Sequence, residues 1–562
     1  MQKKNSYWML AATLICGTAM FTAYANKDGA TEEQTLSDIE KMKEEIMAQY
    51  GENKKITGDN YDKSLAVKCI NGTFVGKKSD NIIAFKGIPY VGSQPIGELR
   101  WKAPVDVIPN DGVYEAYYNG KTAPQKEEAS EPASLYCQGE DCLYLNIWKS
   151  AEASDEKKPV MVWIHGGGYA MGGTADPLYE CHNLVKENPD VIVVSIAYRV
   201  GIFGFLHLSH LSDGGDYPDA QNLGTMDQMM ALKWIHENIA SFGGDPDNVT
   251  IFGESAGAGS VTVLPLVKVS HTYFKRVIAE SGAPVFTRST EQAIGCTNEV
   301  MEILGCKTVA DLQKIDVKKL VEAAGVLSLR VCPERDGKYL PFEPYEAYAN
   351  GAAKDIDILQ GCNKDEMNYF VYSSGQEVYT DFTDAFMKRK LAQVTEEEKV
   401  LIESFMNDVK GESYEPVSRL LDQIWFFAPL FRLSESQTMG GGKSYTYFFT
   451  PESSLPIMKC GHAVELAVVL NHPENTIFTG RTFDETFSKT LRKMWVQFAK
   501  TGNPSLSVSE SPDGKAHEWP LYDLGDKQIM VFDEFNIHPE KESLRRIVDW
   551  ERTYFLTKYY CI

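Results

Sequence analysis

The sequence predicts an α/β fold, a mostly parallel sheet flanked by helices within one large domain. Three observations point there. Residues 159–164 and 191–196 are continuous apolar runs without the in–out alternation of a half-exposed strand, as expected for strands covered on both faces. Segments of helical period alternate with such runs. A glycine-bounded turn, Gly253-Glu254-Ser255-Ala256-Gly257, follows the short apolar run 249–252 and precedes a helix-like segment.

Taken along the chain, Lys3 and Lys4 precede an apolar stretch over residues 7–25 that ends in Ala23-Tyr24-Ala25. That is the anatomy of a secretory signal peptide, and export to the periplasm or beyond the cell is expected, with disulfides permitted. An uncleaved anchor, or lipidation at Cys16, is the rival reading. Residues 26–62 form a charged extension in which Ser37 caps an expected helix through Ile39, Met42 and Ile46, ending before Gly51. A tethering or packing segment suits its narrow apolar stripe, and the main domain is expected over 63–562. The run 159–164 ends in three glycines. Residues 225–240 read as a helix with Met229, Leu232, Ile235 and Ile239 on one stripe, and 260–264 as the helix after the glycine turn. Strands are expected at 355–359 and 444–448. No repeat, linker or low-complexity tract interrupts the chain after about residue 65.

Composition narrows the function classes. The 562 residues are 43% hydrophobic and 11% aromatic, with only 44 Gly and 25 Pro, which excludes global disorder. Mean hydropathy is −0.28, and the only long apolar run is N-terminal, so a polytopic membrane protein is excluded and the mature chain is expected to have no membrane span. The 56 basic residues face 78 acidic ones, a net charge of −22, which disfavours nucleic acid as a partner. Eleven cysteines include no C-x-x-C pair and no zinc-ligand spacing, so no metal is expected.

Two motifs carry chemistry. A serine hydroxyl is a poor nucleophile unless it is exposed beside a base, and a sharp strand-to-helix turn exposes Ser255. His165-Gly166-Gly167-Gly168 ends an apolar strand. Consecutive glycines present bare backbone N–H groups, which suit an oxyanion formed during acyl transfer. The triad acid and base follow the serine in that order on such folds. Spacing does not choose among His271, His462, His472, His517 and His538.

A family resemblance does choose. The segments Gly87-Ile-Pro-Tyr90, Gly97-Glu-Leu-Arg100, Glu140-Asp-Cys-Leu-Tyr-Leu-Asn-Ile-Trp148, Tyr198-Arg-Val-Gly-Ile-Phe-Gly-Phe-Leu206 and Phe242-Gly-Gly-Asp-Pro246 stand in order before the Ser255 motif. Phe498-Ala-Lys-Thr-Gly-Asn-Pro504 and Trp519-Pro-Leu-Tyr522 follow it. Together they resemble the type-B carboxylesterases, which include the cholinesterases, over about residues 71–550. The resemblance implies an α/β-hydrolase fold with inserted segments walling the pocket, and a serine ester hydrolase that needs no cofactor and takes a small-molecule ester. It implies Ser255 as nucleophile, Glu366 as acid and His462 as base. It further implies Gly167, Gly168 and Ala256 as oxyanion donors, Glu254 as a supporting carboxylate and alternative acid, and a Cys296–Cys306 disulfide.

The departures from the family pattern are local. Met367 and Ala463 stand where glycines usually follow the acid and the base, and Ala123 replaces the usual partner of Cys142, leaving Cys142 free or paired with Cys137. No tryptophan lies between Trp101 and Trp148, so the cation-holding ring of the cholinesterases is missing and a dedicated choline esterase is not expected. Residues 323–332 lack bulky phenylalanines, which favours broader acyl tolerance. The rival functions on this scaffold are a non-catalytic binding protein and a lipase, thioesterase or amidase.

Overall fold

A computed structural model describes residues 44 and 46–553, apart from 127–136, 328–329, 393, 412–415 and 543–547. The expected signal peptide, the Ser37 cap and part of the 323–332 stretch lie outside the described residues.

Eleven strands build the main sheet. In chain order they are β1 (Lys77–Ser79), β2 (Ile82–Pro89), β3 (Tyr144–Ser150), β4 (Lys158–Ile164), β5 (Ile192–Ile196), β6 (Gly244–Glu254), β7 (Arg276–Glu280), β8 (Asp357–Asn363), β9 (Ser444–Phe449), β10 (Gln528–Asp533) and β11 (Asn536–Lys541). Their spatial order is 11-10-9-8-7-6-4-5-3-2-1. From β10 through β5 every pairing is parallel, and the remaining edge pairings are antiparallel. All five residues of β5 and the last five of β4 are buried, as their largely apolar runs require.

Helices cover both faces. Helix α1 (Leu223–Asn238) buries Met229, Leu232 and Ile235, and the chain then tightens into a 3₁₀ turn at Ile239–Phe242. After the Ser255 turn comes α2 (Ala256–Val263), every residue of which is buried. Helix α3 (Thr290–Leu304) opens with a capping box between Ser289 and Gln292. The amphipathic α4 (Glu485–Thr501) packs on β4 and β6.

Two ion pairs, the first partly and the second fully buried, tie distant segments together. Arg100 grips Glu140 through Nε and a terminal nitrogen at 2.5 and 2.7 Å. Arg199 grips Asp227 of α1 at 2.7 Å through each of two nitrogens. Bidentate geometry fixes direction as well as distance, so each pair sets the orientation of a loop against its neighbour.

Two expectations are corrected here. Helix α2 begins at Ala256 rather than near Ser260, because the turn consists of Ser255 alone. Not among these corrections is the extension, whose described part packs on the body: Ile46 is fully buried against Ala175 and Met171, Asn53 clamps Lys86, Tyr117 and Tyr118, and Lys55–Ile56 pairs with Val113–Glu115. The Cys296–Cys306 disulfide is not formed. Cys296 lies inside α3, and the Cys306 N–H caps the helix end by donating to Met301 O. The thiols turn to Arg330 O and Leu304 O respectively. Cys137 and Cys142 are likewise thiols, the first exposed and the second fully buried.

Candidate active site

The site lies at the C-terminal ends of β4, β6, β7 and β8. Ser255 is the only residue between β6 and α2, and it takes φ 56°, ψ −121°. A non-glycine residue in this region is strained, and the surroundings hold it there. The Ser255 N–H donates to Glu280 O of β7 and its carbonyl accepts from the Gly259 N–H, both at 2.9 Å. The flanking glycines are steric necessities: a Cβ on Gly253 or Gly257 would sit 2.5 or 2.1 Å from Ile164 O on β4. The turn therefore lies against β4, and the Ser255 side chain is left partly exposed.

Next to it runs the loop after β4. Gly167 and Gly168 take φ 97° and 60°, conformations a side chain would resist. The loop is braced from outside. Gln125 accepts from the Gly172 N–H and donates to Gly172 O, and the His165 ring stacks on Tyr198 with centroids 4.4 Å apart. Burial pulls the His165 imidazole down to about 4, so it is neutral at ordinary pH. The N–H groups of Gly167, Gly168 and Ala256 find no acceptor among the described residues.

His462 and Glu366 meet. His462 Nδ1 lies 2.6 Å from Glu366 Oε2, and both residues are buried. Glu366 Oε1 accepts from the Ser281 hydroxyl at 2.6 Å and from the Asn363 N–H at 2.8 Å. Asp365 turns away and pairs with Arg419 at 3.0 Å, so neighbouring carboxylates have separate tasks. The imidazole is enclosed by the rings of Phe370, Tyr369 and Phe426, with centroids 5.6, 5.9 and 5.1 Å away.

His462 Nε2 faces Glu254 Oε1 at 2.9 Å, and the Ser255 hydroxyl makes no hydrogen bond among the described residues. The Glu254 contact is off the line of a directed hydrogen bond and acts through charge. A carboxylate at each ring nitrogen favours the charged form of the imidazole. Burial opposes that charge, but the two carboxylates outweigh it and hold His462 well above the usual histidine range. Burial raises Glu254, and pushes Glu465 up to about 8.

Sequence reasoning missed Ser281, Asn363, Glu465 and Gln125 as supports of this cluster. Ser281, at φ 55°, follows Glu280 as β7 ends, and no motif signals it. The departures at Met367 and Ala463 are accommodated. Met367 is buried with its N–H on Asp422, whereas Ala463 sits at φ 67°, where the family's glycine would be unstrained.

A strand–serine–helix turn at the end of a mostly parallel sheet, facing a glycine loop and a His–Glu pair, defines an α/β-hydrolase. The carboxylesterase family matches residues 63–546, and the chain belongs to that family. The para-nitrobenzyl esterase of Bacillus subtilis (strain 168) is 33% identical over 495 residues, spanning 84% of this chain and 96% of its own. A Mus musculus cholinesterase is 31% identical over 493 residues, 80% of this chain and 79% of its own. Among solved structures, a Geobacillus stearothermophilus carboxylesterase superposes with a TM-score of 0.75 at 33% identity, covering 86% of this chain and 99% of the other. The protein is thus a serine carboxylic ester hydrolase, and its family implies small-molecule esters as substrates. Among the described residues no helix is long and apolar enough to cross a membrane, and no group of three or more His, Cys, Asp or Glu is arranged to hold a metal ion.

Proposed function

We propose that the protein is an exported esterase acting through Ser255, His462 and Glu366. The carrying observation is the 2.6 Å contact of Glu366 with His462 Nδ1, which leaves Nε2 directed at the residue preceding Ser255. Loss of the imidazole proton removes its attraction to Glu254 and frees Nε2 to take the Ser255 proton. Ser255 Oγ then attacks the ester carbonyl, and the N–H groups of Gly167, Gly168 and Ala256 receive the oxyanion. The protonated His462 returns its proton to the leaving alcohol. Water, activated in the same way, releases the carboxylic acid from the acyl-enzyme. Glu366 holds the tautomer, with Ser281 and Asn363 fixing its carboxylate.

Neutral esters with an aryl or arylmethyl alcohol portion are the proposed class. A relative named for para-nitrobenzyl ester cleavage supports that choice, as does a net charge of −22 that does not penalise uncharged substrates. The test is Ser255→Ala assayed on a para-nitrophenyl ester. The expected loss is at least about a thousandfold in kcat with the fold intact; parent-like hydrolysis would overturn the assignment.

A further inference from the structure

A second serine–histidine–carboxylate line stands outside this site. Ser209 Oγ lies 3.0 Å from His207 Nε2, and His207 Nδ1 lies 2.8 Å from Glu334 Oε2. Glu334 is fully buried and its other oxygen accepts from the Thr290 hydroxyl at 2.6 Å. His207 is held in turn, its carbonyl accepting from Thr297 of α3 at 2.8 Å. The Asn222 side-chain amide fixes the Glu334 backbone, donating to its carbonyl and accepting from its N–H. Ser209 itself is exposed, and the N–H groups of Ser209 and His210 find no acceptor among the described residues.

The elements arrive from distant parts of the chain. Residues 207–210 follow the short helix Gly201–Gly204, Glu334 begins a two-residue strand paired with Arg288–Ser289, and Thr290 opens α3. If the network only pinned this loop, a buried carboxylate would suffice to hold the imidazole. Here the far ring nitrogen is aimed at a solvent-exposed hydroxyl, the order that makes a serine nucleophilic.

We propose that Ser209 is a second acyl- and phosphonyl-accepting site, activated by His207 and Glu334, for small activated aryl esters and fluorophosphonates. With an aryl ester, Ser209 Oγ bonds to the acyl carbon, the ester C–O bond breaks, aryloxide leaves, and the hydroxyl proton passes to His207 Nε2. With a fluorophosphonate, a P–O bond forms, the P–F bond breaks and fluoride departs. Ser209 is exposed, and the site is expected to be modified once rather than to turn over.

The experiment treats full-length Ser255→Ala protein with a fluorophosphonate and with para-nitrophenyl acetate, followed by peptide mass mapping. General-base assistance is worth at least about a hundredfold. Ser209 is therefore expected to react at least that much faster than the exposed Ser154 and Ser509. Adding Glu334→Gln, which keeps size and burial, should slow Ser209 by at least about tenfold with an unchanged circular dichroism spectrum. Ser209→Ala in the parent should remove the second label while leaving ester hydrolysis intact. Ser209 reacting no faster than Ser154 and Ser509, or reacting equally well with Gln at 334, overturns the proposal. Neither result bears on Ser255, which is absent from the test protein.

Discussion

Replacing Glu254 by Gln removes one of the two charges that hold the His462 proton. The carboxylate oxygen is 2.9 Å from Nε2. Coulomb's law at that distance gives about 1.4 kcal/mol with the screening of bulk water and about 6 kcal/mol at an effective dielectric constant of 20. At 1.36 kcal/mol per unit, these span a pKa change of about one to four units. Burial raises Glu254 itself, so its charge is incomplete at low pH and the lower part of that span applies. The sign follows from the base's role. His462 must be neutral to accept the serine proton, and its raised affinity keeps it protonated as pH falls. The parent's kcat/KM therefore declines on the acid side from a midpoint above the ordinary histidine value. In Glu254→Gln the midpoint moves down by about one unit or more, and activity persists into more acidic solution. Proton release in a pH-stat, followed with a neutral phenyl ester across the acid limb, measures this directly. An unmoved limb, or one displaced upward, would refute the reading of His462 as a base poised between two carboxylates.

Three further outcomes follow from the same geometry. Gly257→Ala places a methyl carbon 2.1 Å from Ile164 O, a backbone atom, so the turn must deform; activity should fall by at least about a hundredfold and stability by about 1–3 kcal/mol, read by urea denaturation and an ester assay. Ala463→Gly relieves a left-handed residue beside the base and should raise stability by about 1 kcal/mol, seen as a higher thermal midpoint. Cys296 and Cys306 should both take up iodoacetamide in denaturant without any reductant, and resistance until a reductant is added would contradict their separate placement.

Much of the site was legible because its chemistry is written in local sequence. The glycines flanking Ser255 mark a backbone approach with no room for a Cβ, and Gly167 and Gly168 after β4 mark left-handed backbone. The buried strands announce themselves through apolar runs without in–out alternation. His462 and Glu366 carried no local signal; a family resemblance singled them out, and the structure places them together. Ser281, Asn363 and Gln125 were illegible, because an ordinary polar residue becomes a support only once distant segments converge on it. The disulfide expectation came only from the resemblance, and the two thiols turn instead to Arg330 O and Leu304 O. The register of α2 was missed because propensity disfavours a helix opening in Ala-Gly-Ala-Gly, and tight packing against β4 overrides it.

The most direct measurement is peptide mass analysis of protein quenched in acid during turnover of a para-nitrophenyl ester. One acyl group per chain on Ser255, formed and lost at the rate of turnover, is the expected result. Steady hydrolysis with Ser255 never acylated would contradict the account.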